Sequence, residues 1–147
     1  MLRHILIATD GSVSSAKGVK AGIGLAKALG ARVTAVHVIP PYVVAYDDAL
    51  FLPPAGSRRQ YREACERTAN AVLAGAKREA RKAGVRCATV VVTDPQPWGG
   101  ILRVAHSKRC DAIAMSSRGR GALGGLLLGS ETQCVLARSK IPVLVTR

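Results

Sequence analysis

The sequence predicts a single α/β domain: an open, twisted, mostly parallel sheet with helices on both faces. Three observations lead there. Apolar, strand-like runs alternate with helical stretches in the order β-α-β-α-β-α-β-α-β, with no repeat and no linker. Hydrophobic residues make up 48% of the chain but aromatics only 3%, so the core is built from Val, Ile, Leu and Ala. That composition suits strands buried on both faces. The 147 residues suit one domain, 1–147, and a domain of that size buries roughly 70% of the surface its unfolded chain exposes.

His4 to Thr9 (HILIAT) reads as a short buried strand closed by the turn residues Asp10, Gly11 and Ser12. From Ser14 to Leu29 apolar residues recur at Ala16, Val19, Ile23 and Ala26, a helical stripe that Gly30 ends in a left-handed conformation. Gly18, Gly22 and Gly24 each weaken this helix by up to about 1 kcal/mol, a cost that close approach to a sheet would offset. Ala31 to Ile39 is the second strand, followed by an irregular stretch from Pro40 to Ser57. Arg58 to Ala83 is a long basic helix with Tyr61, Ala64, Thr68, Val72, Ala76 and Ala80 near one face. Val85 to Thr93 is the third strand, and Trp98 to Lys108 a short helix with Ile101, Leu102 and Ala105 inward. Asp111 to Met115 is the fourth strand and Pro142 to Thr146 the fifth. Between them Ser130 stands as the N-cap of a helix to Ser139, with Gln133 completing a capping-box pattern.

The formal charge of +13 favours anionic partners. The plainer reading is solubilising charge carried as Arg, and the spread of basic residues along helical stretches supports it. Arg58, Arg59, Arg62, Arg67, Lys77, Arg78, Arg81 and Lys82 on one helix raise a nucleic-acid alternative, which is not favoured; the scarcity of aromatics argues against a single-strand reader. Cys65, Cys87, Cys110 and Cys134 lie far apart with no zinc spacing and read as buried reduced thiols. With no signal peptide and no apolar run near the roughly 20 residues of a membrane span, a cytoplasmic protein is expected.

The densest chemical signal runs from Ser116 to Ser130, a glycine-rich connection between a buried strand and a helix start. Glycines let several main-chain amides turn inward, and the helix N-terminus adds partial positive charge, so the segment suits an anion. Ser130 and Thr132 add hydroxyls, Arg118 and Arg120 add charge; a surface loop that is merely glycine-rich is the competing reading. Gly119, Gly121 and Gly124 match G-x-G-x-x-G, but after the fourth strand rather than the first and with no acid beyond Glu131, so this is not a dinucleotide fingerprint. The G-x-x-x-x-G-K-[ST] loop is absent. Asp10, at the end of the first strand, suits a ribose or an adenine amino group, or equally a cap for the following helix. His4, His37 and His106 are isolated and read as packing or surface residues. No G-x-S-x-G elbow or acid–base pair is visible, so no catalytic residue and no metal ligand is assigned.

As a whole the pattern resembles the universal stress protein family, in its ATP-binding (UspA-like) branch. The matching parts, ILIATDGS, AVHVI, CDAIAMSSRGRG, GSETQCVL and IPVLVTR, cover nearly the entire chain. The branch signature G-x2-G-x9-G-[ST] fits at Gly119, Gly129 and Ser130, with Ser116 where the first glycine stands. The resemblance implies an adenine nucleotide alpha hydrolase-like fold with parallel strand order 3-2-1-4-5. It implies a cleft for ATP, with Mg2+ or Mn2+: Ala8, Thr9 and Asp10 on the adenosine side and the Val38 main chain facing adenine. Met115, Ser116, Ser117, Arg118, Gly119, Arg120 and Gly121, with Gly129, Ser130, Glu131 and Thr132, would hold ribose and phosphates. It also implies a homodimer through the last strand, Ile141 to Arg147. A nucleotide-dependent stress-response regulator with at most slow hydrolysis or autophosphorylation is expected, a nucleotide-free dimeric adaptor being the alternative.

Overall fold

The computed structural model describes residues 1–42, 55–119 and 128–147. In chain order the elements are β1 (His4–Ala8), α1 (Val13–Leu29), β2 (Arg32–Ile39), α2 (Ala55–Lys82), β3 (Cys87–Thr93), α3 (Pro97–Ser107), β4 (Ala112–Ser116), α4 (Ser130–Arg138) and β5 (Val143–Thr146). All strand pairs are parallel and the order is β3-β2-β1-β4-β5. The expected α/β architecture and strand order are therefore present.

The period-two alternation of β1 divides the core. Ile5 and Ile7 point to a layer with Val19, Ile23 and Ala26 of α1 and Leu73, Ala76 and Ala80 of α2. Leu6 and Ala8 point to the other, with Ile101, Val104 and Ala105 of α3 and Val135 of α4. β1 and β4 are buried at all five positions each, as inner strands of a sheet covered on both faces must be.

α1 starts where Ser12 accepts a hydrogen bond from Ser15 N at 3.1 Å, and stops at Gly30, whose φ of 62° costs glycine nothing. Gly18 and Gly22 let α1 lie against the sheet. A Cβ on Gly18 would stand 2.8 Å from Ser116 N, and one on Gly22 2.8 Å from Ile7 Cδ1. Gly24 has nothing within 4 Å and no such reason.

Three expectations need correction. The long helix begins at Ala55 rather than Arg58, and its buried stripe is Ala69, Leu73, Ala76 and Ala80, whereas Ala64 and Thr68 are exposed. The apolar face thus starts later along α2, and Tyr61 in its early turns instead meets Pro40 and Tyr42, just past the end of β2. Of the cysteines only Cys110 is buried; Cys65, Cys87 and Cys134 are half-buried, and all four are free. His4, 6% exposed, is a packing residue: its Nε2 lies 2.8 Å from Thr34 Oγ1, and burial holds its pKa below the usual value. Among the described residues no helix is long and apolar enough to cross a membrane.

Candidate functional site

Strand order reverses between β1 and β4, the place where open α/β sheets leave a crevice at the carboxyl ends of their strands. A cavity of about 370 Å3 occupies that crevice. Ala8, Thr9 and Asp10 enter it from the end of β1, Val38 from β2, and Met115 and Ser116 from the end of β4. Arg118 and Gly119 close it from the loop after β4, and Gly129, Ser130, Glu131 and Thr132 from the start of α4. Segments a hundred residues apart in sequence meet because β1 and β4 are neighbours, with Ile5 paired to Ala112 and Ile7 to Ala114.

The β1 side is a tight polar turn. Thr9 is buried, with Oγ1 lying 3.0 Å from Ser15 Oγ and its carbonyl 3.0 Å from His37 Nδ1. Asp10 Oδ1 accepts from Ser12 N at 2.9 Å, so the carboxylate stabilises its own turn while Ser12 caps α1. The cap alternative for Asp10 is thereby excluded. Its other oxygen abuts the glycine loop: a Cβ on Gly119 would lie 2.8 Å from Asp10 Oδ2. Pairing of β1 with β2 ends at Ala8 and Val36, yet β2 runs on to Ile39. Val38 therefore lies past the end of β1.

On the β4 side Ser117 does not reach the cavity. It is 2% exposed, and its N–H donates to Thr146 O while its carbonyl accepts from Gly129 N, both at 2.6 Å. This link sets the start of α4 one residue earlier than expected. Gly129, at φ −69° and ψ 156°, is the N-cap, without a side-chain cap bond, and Ser130 is the first helical residue. Gln133 Nε2 donates to Leu128 O, so the capping box is not formed. Thr132 Oγ1 donates to Ser116 O at 3.0 Å, and the Ser116 hydroxyl donates to the Arg118 carbonyl. The α4 first turn is thus stitched to the end of β4. Its leading N–H groups, which no helix can satisfy internally, open beside the cavity.

Glu131 also ties the outer wall. Its Oε2 accepts from Trp98 N at 2.7 Å, and Arg138 stacks over the Trp98 ring at 4.5 Å, clamping α3 to α4. Ser15, Val36, Pro97 and Ile101 line the cavity as well and were not anticipated. The period of the β2 run would have paired Val36 with Val38 on one face; nothing in the sequence marks Pro97 or Ile101. Arg120 and Gly121 lie outside the described residues. Among the described residues no group of three His, Cys, Asp or Glu side chains could hold a metal.

The universal stress protein family matches residues 1–147, the whole chain. A universal stress protein of Thermus aquaticus, encoded in the QAH/OAS sulfhydrylase 3' region, is 34% identical over 147 residues, covering all of both chains. Among solved structures, a universal stress protein in complex with cAMP superposes with a TM-score of 0.73 at 22% identity, covering 99% of this chain and 97% of that one. The universal stress protein of Archaeoglobus fulgidus in complex with dAMP gives 0.72 at 17% identity, covering 100% and 98%. At those identities the structures speak for the fold, and the full-length sequence matches speak for kinship: the chain belongs to the universal stress protein family.

Proposed function

We propose that the chain binds an adenine nucleotide, ATP foremost, in the β1–β4 cleft and acts as a cytoplasmic, nucleotide-dependent regulator of a stress response. The observation that carries this reading is the cleft itself. It combines an apolar slot of Val36, Val38, Ile101 and Met115, a carboxylate at Asp10 and a helix start at Gly129 to Thr132. Its volume of about 370 Å3 lies in the range of small-ligand sites, about 300–1,000 Å3. The cAMP and dAMP complexes of two structural neighbours point to the same ligand class.

In this reading Ala8, Thr9 and Asp10 hold the adenosine side, with Asp10 accepting from ribose hydroxyls, and the Val38 main chain meets the adenine. Met115, Ser116, Arg118, Gly119, Arg120 and Gly121 hold the ribose and phosphates with Gly129, Ser130, Glu131 and Thr132. Ser117 contributes by anchoring Gly129. Ser116, where the family signature has glycine, turns its hydroxyl to the Arg118 carbonyl and so stabilises the loop. Mg2+ or Mn2+ would arrive on the triphosphate and neutralise its charge. Among the described residues no acid–base pair lines the cleft, so in this reading hydrolysis or autophosphorylation is at most slow.

Calorimetry with ATP and magnesium tests the reading; absence of both heat and thermal shift at millimolar nucleotide overturns it. Gly119→Ala, which drives a methyl into Asp10, should weaken binding at least tenfold while the thermal transition persists. A nucleotide-free adaptor would be indifferent to it. We also propose a homodimer through Ile141 to Arg147, because β5 is an edge strand whose Leu144 is 36% exposed. Leu144→Arg should convert a sedimenting dimer to monomer.

A further inference from the structure

The cleft occupies the carboxyl ends of the strands. At the opposite pole, where the chain enters each strand, cations dominate. Arg3 precedes β1, Arg32 opens β2, Arg86 precedes β3, Lys108 and Arg109 lead into β4, and Lys140 leads into β5. All six are exposed. Main-chain hydrogen bonds place them side by side: Arg32 N donates to Arg3 O at 3.0 Å, and Val33 N to Arg86 O at 2.8 Å. Arg32 and Lys108 both act electrostatically on buried His4 and Cys110. The one acid in these entry segments, Asp111, is spent on the N–H groups of Arg3 and His4 at 2.7 and 2.8 Å.

Lys27, Arg81 and Lys82, in the last turns of α1 and α2, complement helix dipoles and call for no ligand. Lys108, at the C-cap of α3, shares that explanation, whereas Arg3, Arg32 and Arg86 lie outside any helix's last turn; none of the six takes part in an ion pair among the described residues. Their mutual repulsion, partly screened by salt, is a cost that a bound polyanion would relieve. A groove of about 280 Å3 lined by Lys77, Arg81 and Arg86 opens at this same end. The first turns of α2, by contrast, are partly neutralised by Arg59–Glu63 and Arg62–Glu66 pairs.

We infer that this basic pole binds the phosphate backbone of duplex nucleic acid, without reading its sequence. Five strands set about 4.8 Å apart spread the cations over roughly 19 Å, enough to cross a major groove of about 12 Å and meet both flanking backbones. Four of the six are Arg, whose planar fork suits phosphate oxygens. No aromatic residue stands in the entry segments, so bases of a single strand would find nothing to stack on. Met1 and Leu29 are exposed at this end, which makes an anionic bilayer the competitor to be tested.

Fluorescence anisotropy with a mixed-sequence duplex of about 20 base pairs, between about 50 and 200 mM salt, decides the matter. The log–log salt slope should be near −4 to −5, about 0.9 for each phosphate contacted. Arg32→Gln/Arg86→Gln should flatten that slope by about 2 and weaken binding at low salt roughly tenfold or more. Arg58→Gln/Arg67→Gln, with the same net charge, should change affinity less than about twofold. Thermal unfolding confirms that each variant folds; Lys140→Gln, with a slope change of about 1, replaces the pair if it does not. Absence of duplex binding at low salt, equal losses in the two double variants, or binding to phosphatidylserine vesicles without duplex binding would each overturn the inference.

Discussion

Gly18→Ala and Gly24→Ala make one chemical change on one helix, and the structure assigns them opposite signs. At Gly24 a Cβ meets nothing within 4 Å, so alanine there only recovers helix propensity, about 0.8–1 kcal/mol. At Gly18 it stands 2.8 Å from Ser116 N, 3.0 Å from Met115 C and 3.4 Å from Met115 Cα. Carbon contacts settle at about 3.5–4.0 Å, so α1 must withdraw by several tenths of an ångström along its contact with β4. Those are main-chain atoms of a fully buried strand and cannot rotate aside. Overpacking of this kind costs about 1–3 kcal/mol, which exceeds or cancels the propensity gain. The two variants should therefore differ by about 2 kcal/mol, or about 4–8 °C in Tm for a domain of this size. Gly24→Ala should lie above the parent and Gly18→Ala below it. Thermal unfolding by circular dichroism, with urea titration as a check, measures both. Equal stability of the two variants would refute the close contact between α1 and β4. Because Ser116 also lines the cleft, Gly18→Ala should weaken ATP beyond its effect on stability.

Glu131→Ala removes the acceptor for Trp98 N and should cost about 1–2 kcal/mol in urea unfolding, given a charge-assisted bond at a partly exposed site. ATP affinity should fall with it as the outer wall loosens. Thr132→Val leaves the Ser116 carbonyl without its hydroxyl donor in a buried setting and should destabilise by about 1–3 kcal/mol. His4, whose folded pKa is lowered mainly by burial and then by Arg32, should make stability fall as pH drops from about 6.5 through that lowered value. In that window the unfolded chain binds the extra proton, so His4→Asn should flatten the profile. Burial pushes the Cys110 thiol up to about 11, so iodoacetamide should label it more slowly than the half-buried Cys65 and Cys134.

What could be read from the sequence was what local periodicity encodes. Apart from His4, the HILIA and AIAM runs carry no polar residue, as suits a strand buried on both faces, and Gly30 marks a helix end by its left-handed backbone. Strand order and the meeting of Asp10 with Gly119 came from resemblance rather than from periodicity, since no local feature encodes which strand lies beside β1. The misplaced N-cap has the same origin: a Ser-x-x-Gln pattern is local, but the bond from Gly129 N to Ser117 O that overrides it joins residues brought together by the sheet. Pro97 and Ile101 were missed as cavity walls for that reason too, because the wall forms where Glu131 holds α3 against α4. The close approach to a sheet expected to offset the helix glycines exists at Gly18 and Gly22 but not at Gly24, a distinction that depends on which face meets the sheet.

The two ends of the sheet also separate two modes of anion recognition, and salt should tell them apart. Among the described residues the acids lining the cleft are Asp10 and Glu131, and the positive potential they leave for a phosphate is that of the helix start and Arg118. At the other pole it comes from exposed, solvated side chains. Main-chain donors in a partly enclosed cavity are screened far less than exposed charges, whereas a duplex displaces counterions with every phosphate it seats. Five-residue strands rising about 3.3 Å per residue put roughly 17 Å between the two sites, about two Debye lengths at physiological ionic strength. Raising salt from about 50 to 200 mM should therefore cost duplex affinity two orders of magnitude or more, while ATP affinity in magnesium falls only a few-fold. Saturating ATP should leave the duplex isotherm unmoved. A common steep salt dependence, or competition between the ligands, would mean that both occupy one basic surface and that the cleft does not act through its main chain.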